Sequence, residues 1–547
     1  VSNEERVLEL LAVYDSPDAD AAELLCDRHP ADDVAFTVVE ADLSAHDLTY
    51  GHLRRESARF AAALADLGVG PGDAVAVLMG KSAELVVALL GIWRRGAVHV
   101  PLFTAFATPA IALRLAASQA KVVITDADQR AKLQPGPDMP ADAPWRVVVV
   151  GGAPEGGQLS FHELVSDHGP DEPAGASVAV GGDGPLVLLF TSGTTGTPKG
   201  VPVPVKALAS FQAYLEFGLD VSSEDVFWNA ADPGWAYGLY YAILGPLAAG
   251  RRSLLLHAGF SAALTWQVVE RFGVTNFAAA PTVYRSLRAD PTPAPQGTRL
   301  RRASSAGEPL TPEVIDWAEE HLGVPVRDHY GQTEHGMMIV NGWSDAVRET
   351  VRPGSMGKPL PGWSATVLDD TAVTPVPPGQ VGRVAIKVAD SPLMWFTGYA
   401  GAPEKTAERF TDDRAWYLTG DAGSADEDGH FYFSARDDDV IIMAGYRIGP
   451  FDVESVLITH PRVMETAVIG VPDSLRGEVL EAFVVLRAGD SGGRALATEL
   501  QQLVKDQFAA HAYPRTVHFV DELPKTSSGK IQRFVLRQQR RAEVGPT

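Results

Sequence analysis

Residues 48–79 read LTYGHLRRESARFAAALADLGVGPGDAVAVLM: a helical pattern, a Pro/Gly turn, then an apolar run without a charge. The unit repeats at once, as KSAELVVALLGIWRRG and AVHVPL (residues 81–102), then AIALRLAASQA and KVVITD (residues 110–126). Short runs that are apolar at every position suit strands covered on both faces, and their alternation with helices implies parallel pairing through crossovers. The stretch therefore predicts an α/β fold with mostly parallel βαβ sheets. The rhythm returns in RSLLLHA and LTWQVVERFG (residues 252–258 and 264–273).

Outward from there the texture changes twice. From about residue 354 to 433, β-prone runs such as SATVLDD and GRVAIKV are broken by Pro and Gly, which predicts a smaller antiparallel, barrel-like subdomain. After SARDDDV, helix and strand signals alternate again in VESVLITHP, ETAVIGVP, EAFVVLRAG and LATELQQLVKDQF. We therefore expect a large N-terminal domain, residues 1–437, and a small α+β C-terminal domain, residues 438–547, with the boundary at Asp438.

Length and charge narrow the function. A chain of 547 residues exceeds one compact core, so several folding units are expected. With 46% hydrophobic and 21% charged residues, the composition is that of a globular protein. A formal charge of -23 argues against nucleic acid or anionic lipid as a partner. The single cysteine, Cys26, allows no intrachain disulfide and fits a reducing compartment. The acidic first residues lack the order of a secretory signal, and no apolar run reaches membrane-spanning length, so the expected location is cytoplasmic.

Chemistry concentrates in four runs. LVLLFTSGTTGTPKG (residues 186–200) puts a buried strand before a loop of Gly, Ser and Thr whose backbone N–H groups can converge on an anion, with Lys199 adding a positive charge. A polar surface turn uses the same residue types, but needs far fewer of them. The ATPase pattern G-x-x-x-x-G-K-[ST] does not fit over Gly193 or Gly196. DHYGQTEHG offers Thr333 and Glu334 beside Tyr330, WYLTGD ends on Asp421, and ELPKTSSGKIQR places Gly529 and Lys530 on a hairpin turn. Each of these three is equally readable as solvated polar surface.

In order along the chain, TSGTTGTPKG, SSAGEP, YGQTE, YLTGD, SARDDD, AGYRI and PKTSSGKI resemble the adenylate-forming superfamily of acyl-CoA synthetases, adenylation domains and luciferases. The resemblance runs from about residue 30 to 537 and is closest to acetyl- and medium-chain acyl-CoA synthetases. It implies an ATP-dependent acid–thiol ligase that forms an acyl-adenylate and pyrophosphate, then a CoA thioester, with ATP, Mg2+ and coenzyme A as cofactors. An alternative within the family is transfer to a separate carrier protein. A nucleotide sensor that has lost catalysis is disfavoured by the presence of Asp421, Asp438 and Lys530.

The resemblance also implies roles. Thr191, Ser192, Gly193, Thr194, Thr195, Gly196 and Lys199 would hold the β- and γ-phosphates, and Gly307, Glu308 and Pro309 the adenine, with Tyr330 stacked on it. Thr333 would donate to the α-phosphate, Glu334 would help hold magnesium, and Asp421, with Arg436 nearby, would accept from the ribose hydroxyls. Lys530 would bridge the attacking carboxylate and the α-phosphate; Asp438 would be the hinge, Gly445 would border the CoA channel and Arg447 would meet phosphate. Trp235, Tyr237, Ala306, Gly331 and His335 are expected to line the acyl pocket, with His335 either reaching the substrate carboxylate or shaping the wall. Acetate enzymes carry a tryptophan plug where this chain has Gly331, so a short branched, medium-chain or aromatic acid is expected. A protein acyltransferase is the implied partner at Lys530, where loss of charge would disable adenylation.

Overall fold

The computed structural model describes residues 2–191, 198–436, 439–443, 446–473, 477–509, 512–526 and 529–544; the side chains of Ile442, Tyr446, Arg447, Gly477 and Val544 are also left aside. Three sheets of thirteen, seven and five strands organise them.

The opening stretch builds the seven-stranded sheet. Ala74–Leu78 pairs in parallel with Val98–Pro101 on one side and Val122–Asp126 on the other. The sheet ends in an antiparallel hairpin of Pro185–Thr191 and Lys199–Pro204, whose register sets Thr191 opposite Lys199. Those two residues thus stand at the two feet of the glycine-rich loop.

Its helices form for local reasons and are placed by packing. Tyr50–Asp66 starts where the Thr49 side chain accepts from the His52 N–H, and its alanine-rich sequence has high helix propensity. Ala83–Arg94 is capped by Ser82 and is buried from Leu85 to Arg94. The two helices touch closely at Gly91, where a Cβ would stand 2.7 Å from Phe60 Cδ1. An alanine there must push the Phe60 ring away.

The thirteen-stranded sheet joins both textures seen in the sequence. Parallel strands Ser253–His257, Phe227–Asn229, Asn276–Ala279, Arg302–Ala306 and Val326–Gln332 run side by side. Gly336–Val340 then turns back antiparallel, and Ser355–Pro359 carries the hydrogen bonding into the antiparallel strands Phe431–Arg436, Trp416–Ala425, Gly382–Lys387 and Ala365–Leu368. The change of texture near residue 354 is therefore a change of pairing within one continuous sheet.

The five-stranded sheet is a separate layer with its own core of Ile441, Val453, Leu457, Val468, Leu480, Leu500 and others. The helix Arg533–Val544 is tied across it by ion pairs of Arg533 with Glu454, Arg537 with Asp439 and Arg540 with Glu481. Ser434, on a strand of the large sheet, donates to Asp452 Oδ2 at 2.8 Å, and the Phe433 and Phe451 rings meet at 6.1 Å. Among the described residues no helix is long and apolar enough to cross a membrane.

Candidate active site

The strand Val326–Gln332 delivers Tyr330 and Gln332 to the sheet's end, and a tight turn closed by Gly336 at φ 77 presents Thr333 and Glu334. Tyr330 Oη and Gln332 Nε2 both donate to Asp421 Oδ2, each at 2.6 Å. Gln332 also donates to the Thr419 carbonyl at 2.8 Å, so one neighbouring strand grips Asp421 and the backbone of its own strand together. Arg436 is the cross-strand partner of Asp421. The intervening Gly420 has φ 73, and a Cβ there would fall 2.1 Å from Arg409 Nη1, which requires glycine in the TGD turn.

A second group forms around Glu334, which is buried. Tyr399 Oη donates to its Oε1 at 2.7 Å, Arg409 Nε donates to Tyr399 Oη at 3.2 Å, and Lys199 Nζ lies 5.0 Å from the Tyr399 ring centre. Burial lowers the Lys199 pKa, Arg409 and Lys405 lower it further, and Glu334 opposes them. The segment bearing Tyr399 is pinned to the loop's hairpin by the Ala400 N–H donating to the Gly200 carbonyl at 2.9 Å.

The third wall is the Gly307–Glu308–Pro309 turn. Gly307 has φ 105, and Arg285 Nη2 donates to Glu308 Oε2 at 2.8 Å. Next to it arrives the hairpin of the small unit: Lys525 bridges to Ile531, the Gly529 N–H donates to the Thr526 carbonyl, and a Cβ on Gly529 would be 3.5 Å from Thr282. Lys530 keeps an exposed surface although protein surrounds it, as expected of a side chain standing in a cleft. Burial draws its ammonium below the ordinary lysine value; Glu308 pulls it up, Arg436 adds to the depression, and Asp421 and Glu334 oppose it. All four groups that the large domain offers here thus act on one lysine from the small unit.

The acyl-pocket residues divide. Trp235 packs against Phe103 and Phe106 at 5.0 and 5.7 Å between ring centres. Tyr237 keeps accessible surface within the protein, and Ala306 is buried at the end of its strand. His335 corrects the expectation of a group near substrate: it has 0% exposure, its Nδ1 lies 2.8 Å from the Gly336 carbonyl, and its ring packs on Trp363 and Tyr417. Burial holds it at about 3, so it stays neutral and in the core. At Gly331 a Cβ would lie 2.2 Å from the Gly336 carbonyl oxygen, at a bulge between Tyr330 and Gly331. The close approach of two strands demands glycine there, a reason the missing tryptophan alone did not reveal.

Ser192, Gly193, Thr194, Thr195, Gly196, Asp438, Gly445 and the side chain of Arg447 lie outside the described residues. Sequence reasoning passed over Gln332, Tyr399, Arg409 and Arg285. Gln332 sat inside a quoted motif, whereas Tyr399 and Arg409 carry no local pattern and meet Glu334 only through folding. Among the described residues no group of three or more His, Cys, Asp or Glu side chains could cage a metal. The lone buried carboxylate of Glu334 fits a magnesium ion only as one ligand beside phosphate oxygens and water.

Two family models match the chain: AMP-binding enzyme over residues 23–399 and AMP-binding enzyme C-terminal domain over residues 452–530. Acetyl-coenzyme A synthetase from Bacillus subtilis (strain 168) is 37% identical over 504 residues, covering 89% of this chain and 84% of its own. The crystal structure of an acyl-CoA synthetase from Brucella canis is 43% identical over 98% of both chains, with a TM-score of 0.74. ATP-bound MatB from Rhodopseudomonas palustris, 29% identical over 96% of this chain and 100% of that one, has a TM-score of 0.84. Its apo form, 28% identical with the same coverage, has 0.75. The chain belongs to the AMP-binding enzyme family and is an AMP-forming acid–CoA ligase.

Proposed function

We propose that this chain is an acyl-CoA synthetase for a carboxylic acid larger than acetate, of short branched, medium-chain or aromatic type, working through an acyl-adenylate. The observation that carries the reading is the built pair of buried carboxylates, Asp421 held by Tyr330 and Gln332 and Glu334 held by Tyr399, with the Gly529–Lys530 turn seated against Thr282.

In the first half-reaction a carboxylate oxygen attacks the α-phosphorus, the bond to the β-phosphate oxygen breaks, and pyrophosphate leaves. Two anions must meet, and a positioned ammonium lowers that barrier, a role that falls to Lys530. Asp421, oriented by Tyr330 and Gln332, accepts from the ribose hydroxyls. The loop between Thr191 and Lys199 orients the leaving pyrophosphate. Glu334, held by Tyr399, would hold magnesium, which supplies charge neutralisation between the phosphates when bound. In the second half-reaction the CoA sulfur attacks the acyl carbonyl, its proton is lost, and the bond to AMP breaks. Lys530 occupies the approach to that carbonyl, so the small unit must rotate away first, with the hinge assigned to Asp438 and the channel border to Gly445.

The size of the acid follows from position 331. As these two strands pair in this chain, a side chain at 331 would strike the Gly336 carbonyl, so the tryptophan plug expected of acetate enzymes has no room here, which supports a pocket open beyond acetate. Trp235 and Tyr237 limit its width. ATP–pyrophosphate exchange with a panel of acids, followed by CoA-thioester formation along a chain-length series, tests the reading. Expected is exchange with butyrate or larger acids and a CoA thioester as product. A strong preference for acetate over butyrate and hexanoate contradicts the substrate class, and product on a carrier protein alone contradicts the acceptor.

A further inference from the structure

Tyr237, Tyr214 and His329 form a chain of three hydroxyl and imidazole groups whose protons can be assigned. His329 Nε2 is 3.2 Å from the Asn341 carbonyl oxygen, which can only accept, so Nε2 carries a proton. Burial pushes His329 down to about 3, so the ring is neutral and Nδ1 is a bare acceptor. Tyr214 Oη lies 2.6 Å from that nitrogen and must donate to it. Its single proton is then spent. Tyr237 Oη, 3.1 Å from Tyr214 Oη, must in turn donate to Tyr214. The Tyr237 oxygen is left with lone pairs and no proton to give.

Its neighbours differ from it in one respect. Tyr214, Tyr240 and Tyr241 are each at most 1% exposed, with Tyr240 Oη donating to the Thr333 carbonyl and Tyr241 Oη accepting from the Met337 N–H. Tyr237 alone of the four keeps accessible surface. It stands two residues from Trp235, at the start of the short helix Ala236–Gly238. Among the described hydrogen bonds none joins a carboxylate to Tyr237, Tyr214 or His329.

We infer that Tyr237 Oη accepts a hydrogen bond from a hydroxyl on the substrate, and that the preferred acids are hydroxy acids, aliphatic or aromatic, with the hydroxyl remote from the carboxylate. This rests on the reading of residues 235–237 as acyl-pocket wall. Tyr237 is a specificity residue: it selects by the direction of one hydrogen bond. An acid with a methyl in place of the hydroxyl leaves that acceptor unpaired, and one with a carbonyl or ether oxygen there sets two acceptors against each other. A neutral hydrogen bond of this kind corresponds to about tenfold in kcat/KM.

The test uses the full chain and matched acids differing only in hydroxyl, methyl or methoxy at successive positions, on hexanoate and benzoate frames. Ratios of kcat/KM are taken within each variant, so any general loss of activity cancels. At one position the wild type is expected to prefer hydroxyl over methyl about tenfold. Tyr237→Phe removes that preference. Tyr214→Phe takes away the group to which Tyr237 donates, frees its proton, and shifts the ratio toward the methoxy acid. Active wild type without hydroxyl preference at any position, or a preference unchanged in Tyr237→Phe, overturns the inference while leaving the acyl-CoA synthetase reading intact. Failure to adenylate any acid overturns both.

Discussion

The two sides of the cleft are built differently. On the large-domain side, Asp421 is held by Tyr330 and Gln332 from another strand, and Glu334 by Tyr399 with Arg409 behind it. On the other, Lys530 arrives on one short hairpin turn of the smaller unit, anchored by its N–H to Thr526 Oγ1 at 3.1 Å. On the proposed mechanism, the groups that bind the same substrate parts throughout are those fixed by several hydrogen bonds, and the group needed in one step is the one mounted on the smaller unit.

If Lys530 supplies the charge proposed for the transition state, Lys530→Ala should lower kcat of ATP–pyrophosphate exchange about 10²–10³-fold with little change in KM for ATP. Asp421→Ala takes the acceptor from two donors, Tyr330 and Gln332, and should raise KM for ATP about tenfold or more in the same assay. Tyr399→Phe deletes one donor to Glu334 and should lower exchange about threefold to tenfold, partly recovered at high magnesium. A magnesium response no different from wild type would separate Tyr399 from the metal role.

The smallest effect concerns the seam between the bodies. Burial raises the Asp452 pKa from 3.8 to about 6, beside Ser434 of the large domain. A carboxyl raised in the folded state contributes stability that is fully present below 3.8 and lost as pH rises through about 6. Asp452→Asn should therefore melt a few degrees higher than wild type at pH 8, with the gap closing below about pH 4, as thermal melts at several pH values would record. An equal gap at all pH values would assign the change to packing.

Much of this was legible in the chain. Helix and strand alternation is a local pattern, so residues 48–126 announced the parallel sheet before any tertiary contact was known. Asp421, Glu334 and Lys530 were legible only as members of an ordered set of motifs, since each alone looks like solvated surface. Of the two readings of His335 the sequence left open, the burial favours a packed ring over one reaching substrate, because the direction of a side chain after a turn depends on the strand it enters, here packed on Trp363 and Tyr417. The clamp of Tyr399 on Glu334 joins segments far apart in sequence, and the bulge at Gly331 depends on the register of a tight hairpin, so no periodicity records either.

On the proposed mechanism, the seating of the Lys530 turn against Thr282 serves adenylate formation and must be abandoned for thioester formation. A Cβ built on Gly529 would lie 4.0 Å from Thr282 Cβ, within the span a disulfide bridges, and Cys26, the single native cysteine, is buried. In the double variant Gly529→Cys, Thr282→Cys, oxidation should leave ATP–pyrophosphate exchange near that of the reduced form while CoA-thioester formation stops, and reductant should restore it. Thioester formation by the oxidised protein at the rate of the reduced one would contradict the account.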